Sequence, residues 1–359
     1  MRVLLLSRYG PLGASSRMRS YQYLPYLSEL GIHVDVSPLL DDIYLENFYR
    51  ARKTPYRSLL KSYFTRTLKI LRSGKYQLLW IEKELFPWMP LWFDEILLQK
   101  RLPYVVDYDD AIFHRYDMHP RWLIRTFLGN KIDGVMKGAS TVIAGNSYLA
   151  ARAKASGAVC VEVLPTAVDL CRYPKFPAED NDCFTVGWIG TPVTARYLGL
   201  IDTVLGEFLT SERARLFIIG AGNFSLGRGE VVHRTWNLNT ETEDLANIDV
   251  GIMPLADGPW EQGKCGFKLI HYMACFKPVI ASPVGVNRTI VIQGKNGFLA
   301  HDPASWIRAL TLLKHDTDLR RRLGNEGRRE VENRYCTNVT APKLASILKS
   351  AVCIPEFVH

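Results

Sequence analysis

Short, continuous apolar runs recur along the chain, with glycine, proline or polar residues between them. Runs of this kind predict strands that are buried on both faces of a parallel sheet. Because helical or loop sequence separates consecutive runs, the pattern predicts a doubly wound α/β arrangement. The predicted strands are Val3–Leu6, Gly31–Val36, Leu78–Ile81, Tyr104–Val106, Thr141–Ala144, Phe184–Ile189, Leu216–Ile219, Val250–Met253 and Val279–Ala281.

The pattern restarts after residues 164–177, a stretch with three prolines and no clear periodicity. At roughly 150 residues per domain, a chain of 359 residues holds about two domains. We therefore predict two Rossmann-like domains, residues 1–168 and 169–335. A C-terminal helix at 336–359 is expected to pack back toward the first domain. One large α/β sheet is the alternative.

The composition excludes several protein classes. Apolar residues make up 47% and charged residues 23%, which argues against disorder, collagen and coiled coil. The apolar stretch Val3–Leu6 is too short for a signal peptide, so we expect a soluble, cytoplasmic chain. Seven cysteines without a C-x-x-C pair indicate free thiols and no zinc site.

Positive charge is concentrated in the first half. The net charge is +9, and residues 50–75 hold nine Lys or Arg and no Asp or Glu. No recognition motif for DNA or RNA accompanies this charge, so a nucleic-acid partner is disfavoured. At helical spacing, an apolar stripe and a basic cluster predict an amphipathic helix on an anionic membrane. The stripe is Leu60, Phe64, Leu68 and Leu71, and the cluster, predicted on the opposite face, is Arg57, Lys61, Lys69 and Arg72.

Nearby aromatic residues, including Trp88 and Trp92, are of the kind found at membrane interfaces. A core-packed helix with a solvated basic face is the alternative for this region. The membrane interpretation favours a lipid-linked or surface-polysaccharide acceptor on the inner membrane face.

Residues 263–287 carry the strongest chemical signal. A glycine-bearing loop precedes a predicted helix at Phe267–Cys275, and Lys264 and Lys268 flank the helix start. Main-chain N–H groups at a helix N-terminus, together with cations, favour a diphosphate. The chain has neither a G-x-G-x-x-G nor a G-x-x-x-x-G-K-[ST] motif, which disfavours a dinucleotide site or P-loop kinase.

This segment resembles the nucleotide-sugar site of GT-B glycosyltransferases of family four, the glycosyl transferases group 1. The matching motifs are K-L-I-H-Y-M-A at 268–274, C-F-K-P-V-I-A-S at 275–282, L-P-T-A-V-D at 164–169, V-G-W-I-G at 186–190 and G-K-N-G-F-L-A at 294–300. The resemblance implies two domains facing across a cleft and metal-independent, cofactor-free sugar transfer from a nucleotide-diphosphate sugar with retention of configuration.

The resemblance also implies roles for individual residues. Gly13, Gly190, Thr191, Arg196, Lys264, Gly266, Phe267 and Lys268 would hold the diphosphate, His271 the ribose and Trp236 the base. The chain departs from the family at Gly263 and His271, where relatives carry two glutamates, with Glu261 the nearest substitute for the first. It departs again at Thr191, where relatives carry arginine.

In the first domain, Asp107, Asp109 and Asp110 follow a predicted strand. Asp109 and Asp110 are candidates for orienting an acceptor hydroxyl, and many relatives have His where Asp109 aligns. Arg17 and Arg19 would either meet the acceptor's phosphate or be solvated. A nucleotide-sugar epimerase or hydrolase and a non-catalytic binding subunit are the alternative functions.

Overall fold

The computed structural model describes residues 1–49, 56–98, 102–178, 181–222 and 224–353. The chain divides into two compact units. The first unit comprises residues 1–166, 263–265 and 337–359, and the second comprises residues 167–262 and 266–336. The predicted boundary at 168 lies close to this division, but the loop 263–265 groups with the first unit.

Among the described residues, twelve strands form two parallel six-stranded sheets. The strands of the first unit are β1 Arg2–Leu6, β2 His33–Val36, β3 Leu78–Glu82, β4 Tyr104–Tyr108, β5 Thr141–Ala144 and β6 Val161–Val163. Those of the second are β7 Thr185–Ile189, β8 Arg215–Ile219, β9 Glu230–Arg234, β10 Val250–Met253, β11 Val279–Ala281 and β12 Gly297–Leu299.

Helices connect the strands and cover the sheets. The first unit has α1 Ala14–Arg19, α2 Leu24–Glu29, α3 Asp42–Tyr49, α4 Tyr56–Leu71, α5 Leu91–Leu98, α6 His114–Asp117, α7 Trp122–Leu128, α8 Lys131–Lys137 and α9 Ser147–Ala155. The second has α10 Pro192–Ala195, α11 Asp202–Ser211, α12 Glu241–Ala246, α13 Pro259–Gln262, α14 Phe267–Ala274, α15 Asn287–Ile290, α16 Pro303–His315 and α17 Thr317–Arg334. The last helix, α18 Thr337–Cys353, belongs to the first unit.

The first sheet has the strand order β2-β1-β3-β4-β5-β6. Successive residues of β1 point to opposite faces, so Val3 and Leu5 join one apolar cluster while Leu4 and Leu6 join another. Helix α18 contributes Leu344 to the cluster with Val3. Burial on both faces explains why these strands read as continuous apolar runs.

The second sheet has the order β12-β11-β10-β7-β8-β9. It too is buried on both faces, with Val186 in one cluster and Ile189 in the other. Two separate sheets contradict the alternative of one large sheet. The fold class predicted from the sequence, two Rossmann-like units, is confirmed.

Some local predictions differ from the structure. The sequence from Ser15, a plausible cap, to about Leu30 predicts one helix. In the structure this segment is divided into α1, a 3₁₀ turn at Tyr21–Tyr23 and α2. The short strands β6, β9 and β12 were not predicted. In β6 and β9 polar residues interrupt the apolar pattern, because these strands lie at sheet edges.

Candidate functional site

The carboxyl end of β7 brings Gly190 and Lys268 together in the second unit. The Lys268 ammonium donates a hydrogen bond to the carbonyl of Ile189 and lies 3.7 Å from the centre of the Trp188 ring. A Cβ on Gly190 would overlap the ammonium group, so glycine is what allows Lys268 to reach the strand end. A cation therefore lies at the sheet edge where open α/β folds bind ligands.

Helix α14 begins beside this cation. Its N-cap residue, Gly266, has φ of +67°, a left-handed conformation that glycine adopts without strain. Phe267 and Lys268 form the first turn, and the positive end of the helix dipole adds to the lysine charge. The arrangement can bind an anion such as a diphosphate.

Arg196 lies in a 3₁₀ turn that follows α10. Its side chain is 65% exposed, donates a 3.1 Å hydrogen bond to the Tyr197 hydroxyl and lies 3.7 Å from the Glu261 carboxylate. The Tyr197 hydroxyl donates to the same carboxylate. Because the Arg196 side chain is exposed and lies 3.7 Å from Glu261, beyond hydrogen-bond distance, an incoming anion can compete with Glu261 for Arg196.

The remaining predicted donor residues have internal contacts. The N–H of Thr191 donates to the Thr194 hydroxyl at 3.1 Å, which makes Thr191 the N-cap of α10. His271 is 1% exposed and its ring meets the edges of Phe267 and Tyr173. This burial makes His271 a core side chain in the structure, and its ribose role stays a prediction.

Trp236, predicted to contact the base, donates from Nε1 to Glu241 at 2.8 Å. A Cβ on Gly220 would lie 3.2 Å from the Trp236 Cβ and closer still to the carbonyl of Gly190, so the Cβ of Trp236 lies near the residue that follows β7. The position is compatible with a base-binding role, which stays a prediction.

The first unit contradicts the predictions for Arg17 and Arg19. Arg19 is 3% exposed and forms a 2.7 Å ion pair with Asp107. Arg17 is also buried and donates to the carbonyl of Pro11 at 3.0 Å. Both guanidinium groups are oriented inward, so neither is a membrane or solvated group. Burial raises the pKa of Asp107 to about 6, although Arg19 opposes the shift.

Asp109 and Asp110 follow β4 and meet two lysines. Lys83 Nζ lies 2.8 Å from Asp109 and 3.8 Å from Asp110, and Lys264 lies 3.8 Å from Asp110. The hydroxyl of Ser15 donates to Asp109. Lys264, predicted to hold the diphosphate, is therefore placed in the first unit beside an aspartate.

Opposite pKa shifts distinguish the two aspartates. Burial acts to raise the pKa of Asp109, but the Lys83 ammonium outweighs it and holds that pKa below its usual value. Burial and the neighbouring Asp109 charge raise the pKa of Asp110. Lys83 and Ser15 were not predicted as site residues. The position of Lys83 directly after a buried strand was a signal that could have found it.

Gly13, the N-cap of α1, is required by packing, since a Cβ there would overlap the Tyr9 side chain. Its φ of −71° is open to any residue. The absence of a side chain at Gly13 thus allows a close local contact with Tyr9 in the first unit. The predicted diphosphate role of Gly13 stays a prediction.

Helix α4 directs apolar side chains to solvent. Leu60 is 70% exposed, Phe64 65% and Leu71 44%, while Arg66 and Ile70 form the buried face. Leu68 is half-buried, so the core-packing alternative is contradicted at Leu60, Phe64 and Leu71. In the basic cluster, Arg57, Lys61 and Arg72 are exposed and Lys69 is half-buried. Three further basic residues of the segment 50–75, Arg50, Arg52 and Lys53, lie outside the described residues.

Arg66 explains which face of α4 packs inward. Its guanidinium donates to the carbonyls of Ser7 and Ser37, so this buried cation and Ile70 form the inward face of α4. Leu60, Phe64 and Leu71 of the stripe therefore face solvent, as do Arg57, Lys61 and Arg72 of the cluster. The prediction that stripe and cluster lie on opposite faces is corrected.

Further aromatic residues of the first unit are exposed. Trp88 and Trp92 are 48% and 56% exposed, and the Trp88 ring meets His119 at 5.9 Å. On α7, Trp122 is 63% and Phe127 71% exposed. We call this set, Trp88, Trp92, Trp122 and Phe127, the exposed aromatic set. No helix in the described part of the chain is long and apolar enough to cross a bilayer.

The comparisons with known proteins agree with the second-unit geometry. Residues 182–316 match the family described as glycosyl transferases group 1. Spore coat protein SA of Bacillus subtilis (strain 168) is 34% identical over 83 residues, which is 22% of this chain and 22% of that protein. The match thus spans about a fifth of this curated relative.

Solved structures match nearly the whole chain. Sucrose-phosphate synthase from Thermosynechococcus elongatus has a TM-score of 0.72 at 15% identity, covering 99% of this chain and 100% of that one. Anabaena HepE in complex with UDP-glucose has a TM-score of 0.71 at 15% identity, with 98% and 100% covered. WaaG, a glycosyltransferase involved in lipopolysaccharide biosynthesis, has 0.67 at 13%, with 97% and 99% covered.

The predicted resemblance to the glycosyl transferases group 1 is matched over residues 182–316, and the solved structures confirm the predicted GT-B fold. At such low identity the solved structures show the fold alone.

Proposed function

We propose that this chain, whose residues 182–316 match the glycosyl transferases group 1, transfers a sugar from a nucleotide-diphosphate sugar to an acceptor. The observation that carries the proposal is the position of Lys268 at the end of β7, against Gly190 and in the first turn of α14. At this position an ammonium group and a helix N-terminus can act together on one anion.

The donor chemistry follows from that charge. Breaking the bond between the sugar and the diphosphate leaves negative charge on the departing phosphate oxygens. Lys268, Arg196 and the N–H groups of α14 stabilise this charge most when it is fully developed, which lowers the barrier. Transfer with retention and without a metal is the mechanism that the family resemblance suggests, and these cationic groups supply the charge such a mechanism requires.

The acceptor hydroxyl would be oriented by the first unit. Asp109 and Asp110 lie at the carboxyl end of β4, the usual ligand edge of an open parallel sheet. A carboxylate can accept a hydrogen bond from a sugar hydroxyl and fix the direction of its lone pairs.

A membrane-borne acceptor is supported by the exposed surface of the first unit. Apolar side chains of α4 lie beside Lys61 and Arg72, and the exposed aromatic set adds interfacial side chains. Lipid headgroups with negative charge match both features. We therefore place the protein at the inner face of the membrane, acting on a lipid-linked or surface-polysaccharide acceptor in polysaccharide biosynthesis.

The test is nucleotide release from UDP-, GDP-, ADP- and dTDP-sugars by the purified full chain, with and without extracted lipid. Release that increases with lipid, together with a glycosylated lipid product, supports the transferase. Equal release with and without lipid indicates a hydrolase, and conversion to an isomeric nucleotide sugar indicates an epimerase. Binding without turnover indicates a non-catalytic subunit, which Gly263 and His271 in place of the family's glutamates would explain.

A further inference from the structure

The first unit holds a lysine in an unusual environment. Lys83 directly follows β3, its side chain is 8% exposed and its backbone φ is +66°. Lysine is rarely buried unless it is paired, and residues other than glycine rarely adopt left-handed backbone angles. Strained, buried polar residues of this kind concentrate at functional sites, where the surrounding structure holds them in place.

The contacts of Lys83 converge on one carboxylate. Its Nζ lies 2.8 Å from Asp109 Oδ1 and donates at 3.0 Å to the Ser15 hydroxyl. That hydroxyl in turn donates to Oδ2 of Asp109. Oδ1 of Asp109 is therefore in ion-pair contact with Lys83 and Oδ2 accepts from Ser15, both within the first unit, and the Asp109 side chain is 15% exposed.

Asp110 is held more loosely. Its side chain is 34% exposed, and the nearest cationic nitrogens, those of Lys83 and Lys264, are each 3.8 Å away. This separation exceeds hydrogen-bond distance, so the Asp110 oxygens retain capacity for a donor from a ligand.

We infer that Lys83 is a positioning residue that separates the roles of two aspartates, fixing Asp109 as an internal anion so that Asp110 accepts a hydrogen bond from a substrate hydroxyl. That the donor of this hydrogen bond is a substrate hydroxyl rests on the proposed function. The pKa of Asp109 is lowered and that of Asp110 is raised, which are the directions that two separate roles require. The other charged groups acting on these carboxylates and on Lys83 are Arg19, Glu82, Arg115 and Lys264.

The first experiment needs no substrate. Carboxyl ¹³C resonances of labelled aspartate are titrated by NMR in the full chain, with Asp109→Asn and Asp110→Asn to assign them. Lys83→Met should raise the Asp109 midpoint by about one pH unit or more, and Lys83→Arg should restore it. Lys75→Met, at an exposed lysine of the same unit, should leave it unchanged. An unchanged Asp109 midpoint in Lys83→Met overturns the inference.

The second experiment measures turnover of whichever of the UDP-, GDP-, ADP- or dTDP-sugars the wild type consumes. Lys83→Met should lower kcat about tenfold or more and shift the pH profile, while leaving the donor KM unchanged. If Lys83→Met does not fold, Ser15→Ala should shift the pH profile of turnover in the same direction but by less. Wild-type kcat and pH profile in a folded Lys83→Met protein overturn the inference. A wild type that consumes no donor overturns the proposed function, and the NMR titration still decides the role of Lys83.

Discussion

The ammonium group of Lys268 lies 3.7 Å from the centre of the Trp188 ring, at the end of the strand that carries this tryptophan. The face of an aromatic ring attracts a cation, so Trp188 holds the lysine in place before any ligand arrives. A cation that is already positioned loses little freedom when it binds an anion. This arrangement leads to the first prediction.

Lys268→Ala should weaken binding of a nucleoside diphosphate about tenfold to a hundredfold, because a charged hydrogen bond is lost. The measurement is calorimetric titration with UDP, GDP or ADP, using whichever gives the largest thermal shift with the wild type. Lys175→Ala, at an exposed lysine of the same unit outside the matching motifs, is the matched control and should bind normally. Unchanged affinity in a folded Lys268→Ala protein would remove the phosphate assignment.

Reversing Lys61, Lys69 and Arg72 to Glu should release the protein from anionic vesicles. Each basic residue near a charged membrane contributes about 1 kcal/mol, so affinity should fall about a hundredfold or more. Flotation with phosphatidylglycerol-containing vesicles measures the change at fixed salt.

The control for this reversal changes three exposed cations of the second unit, Arg321, Arg322 and Arg329, to Glu. If both triple variants lose binding equally, the attraction is due to net charge alone. If the wild type does not float with these vesicles, the membrane-borne acceptor is excluded.

Arg19→Met should destabilise the protein by about 3–5 kcal/mol, because it leaves the Asp107 carboxylate buried without its cation. Arg2→Met removes an exposed ion pair with Asp35 and should cost less than about 1 kcal/mol. Urea denaturation compares the two. A second change, Asp107→Asn, should recover much of the loss; equal stability of Arg19→Met and Arg2→Met would contradict the structural role of Arg19.

The sequence reveals those parts of the fold that depend on burial. Strands such as β5 and β10 were predicted with their observed bounds, because both of their faces are buried and every residue is apolar or small. Edge strands such as β9 lack that pattern, since solvent tolerates polar side chains there.

Periodicity also predicted which residues of α4 share a face, but it could not show which face packs. The burial of Arg66 depends on the carbonyls of Ser7 and Ser37, which lie far away in the chain. The same holds for the first-unit site. The contact between Ser15 and Asp109 joins residues 94 positions apart, so no local sequence pattern could predict it.

Buried Asp94, on α5, gives a prediction about pH. Burial raises its pKa to about 7, although Lys131, at 3.7 Å, opposes the shift. A carboxyl group whose pKa is higher in the folded than in the unfolded state favours folding when it is protonated. Its contribution is therefore complete below the unfolded value near 4 and is lost as the pH rises through about 7.

Asp94→Asn removes this titration, so the variant should gain about 2 kcal/mol relative to wild type between pH 5.5 and pH 8.5. Urea denaturation of both proteins at the two pH values measures the difference. Asp35→Asn is the control: a hydrogen bond from Tyr76 lowers the pKa of Asp35, so its contribution changes only at more acidic pH. If the stability difference between Asp94→Asn and wild type is the same at both pH values, Asp94 is ionised throughout this range, and Lys131 rather than burial determines its charge.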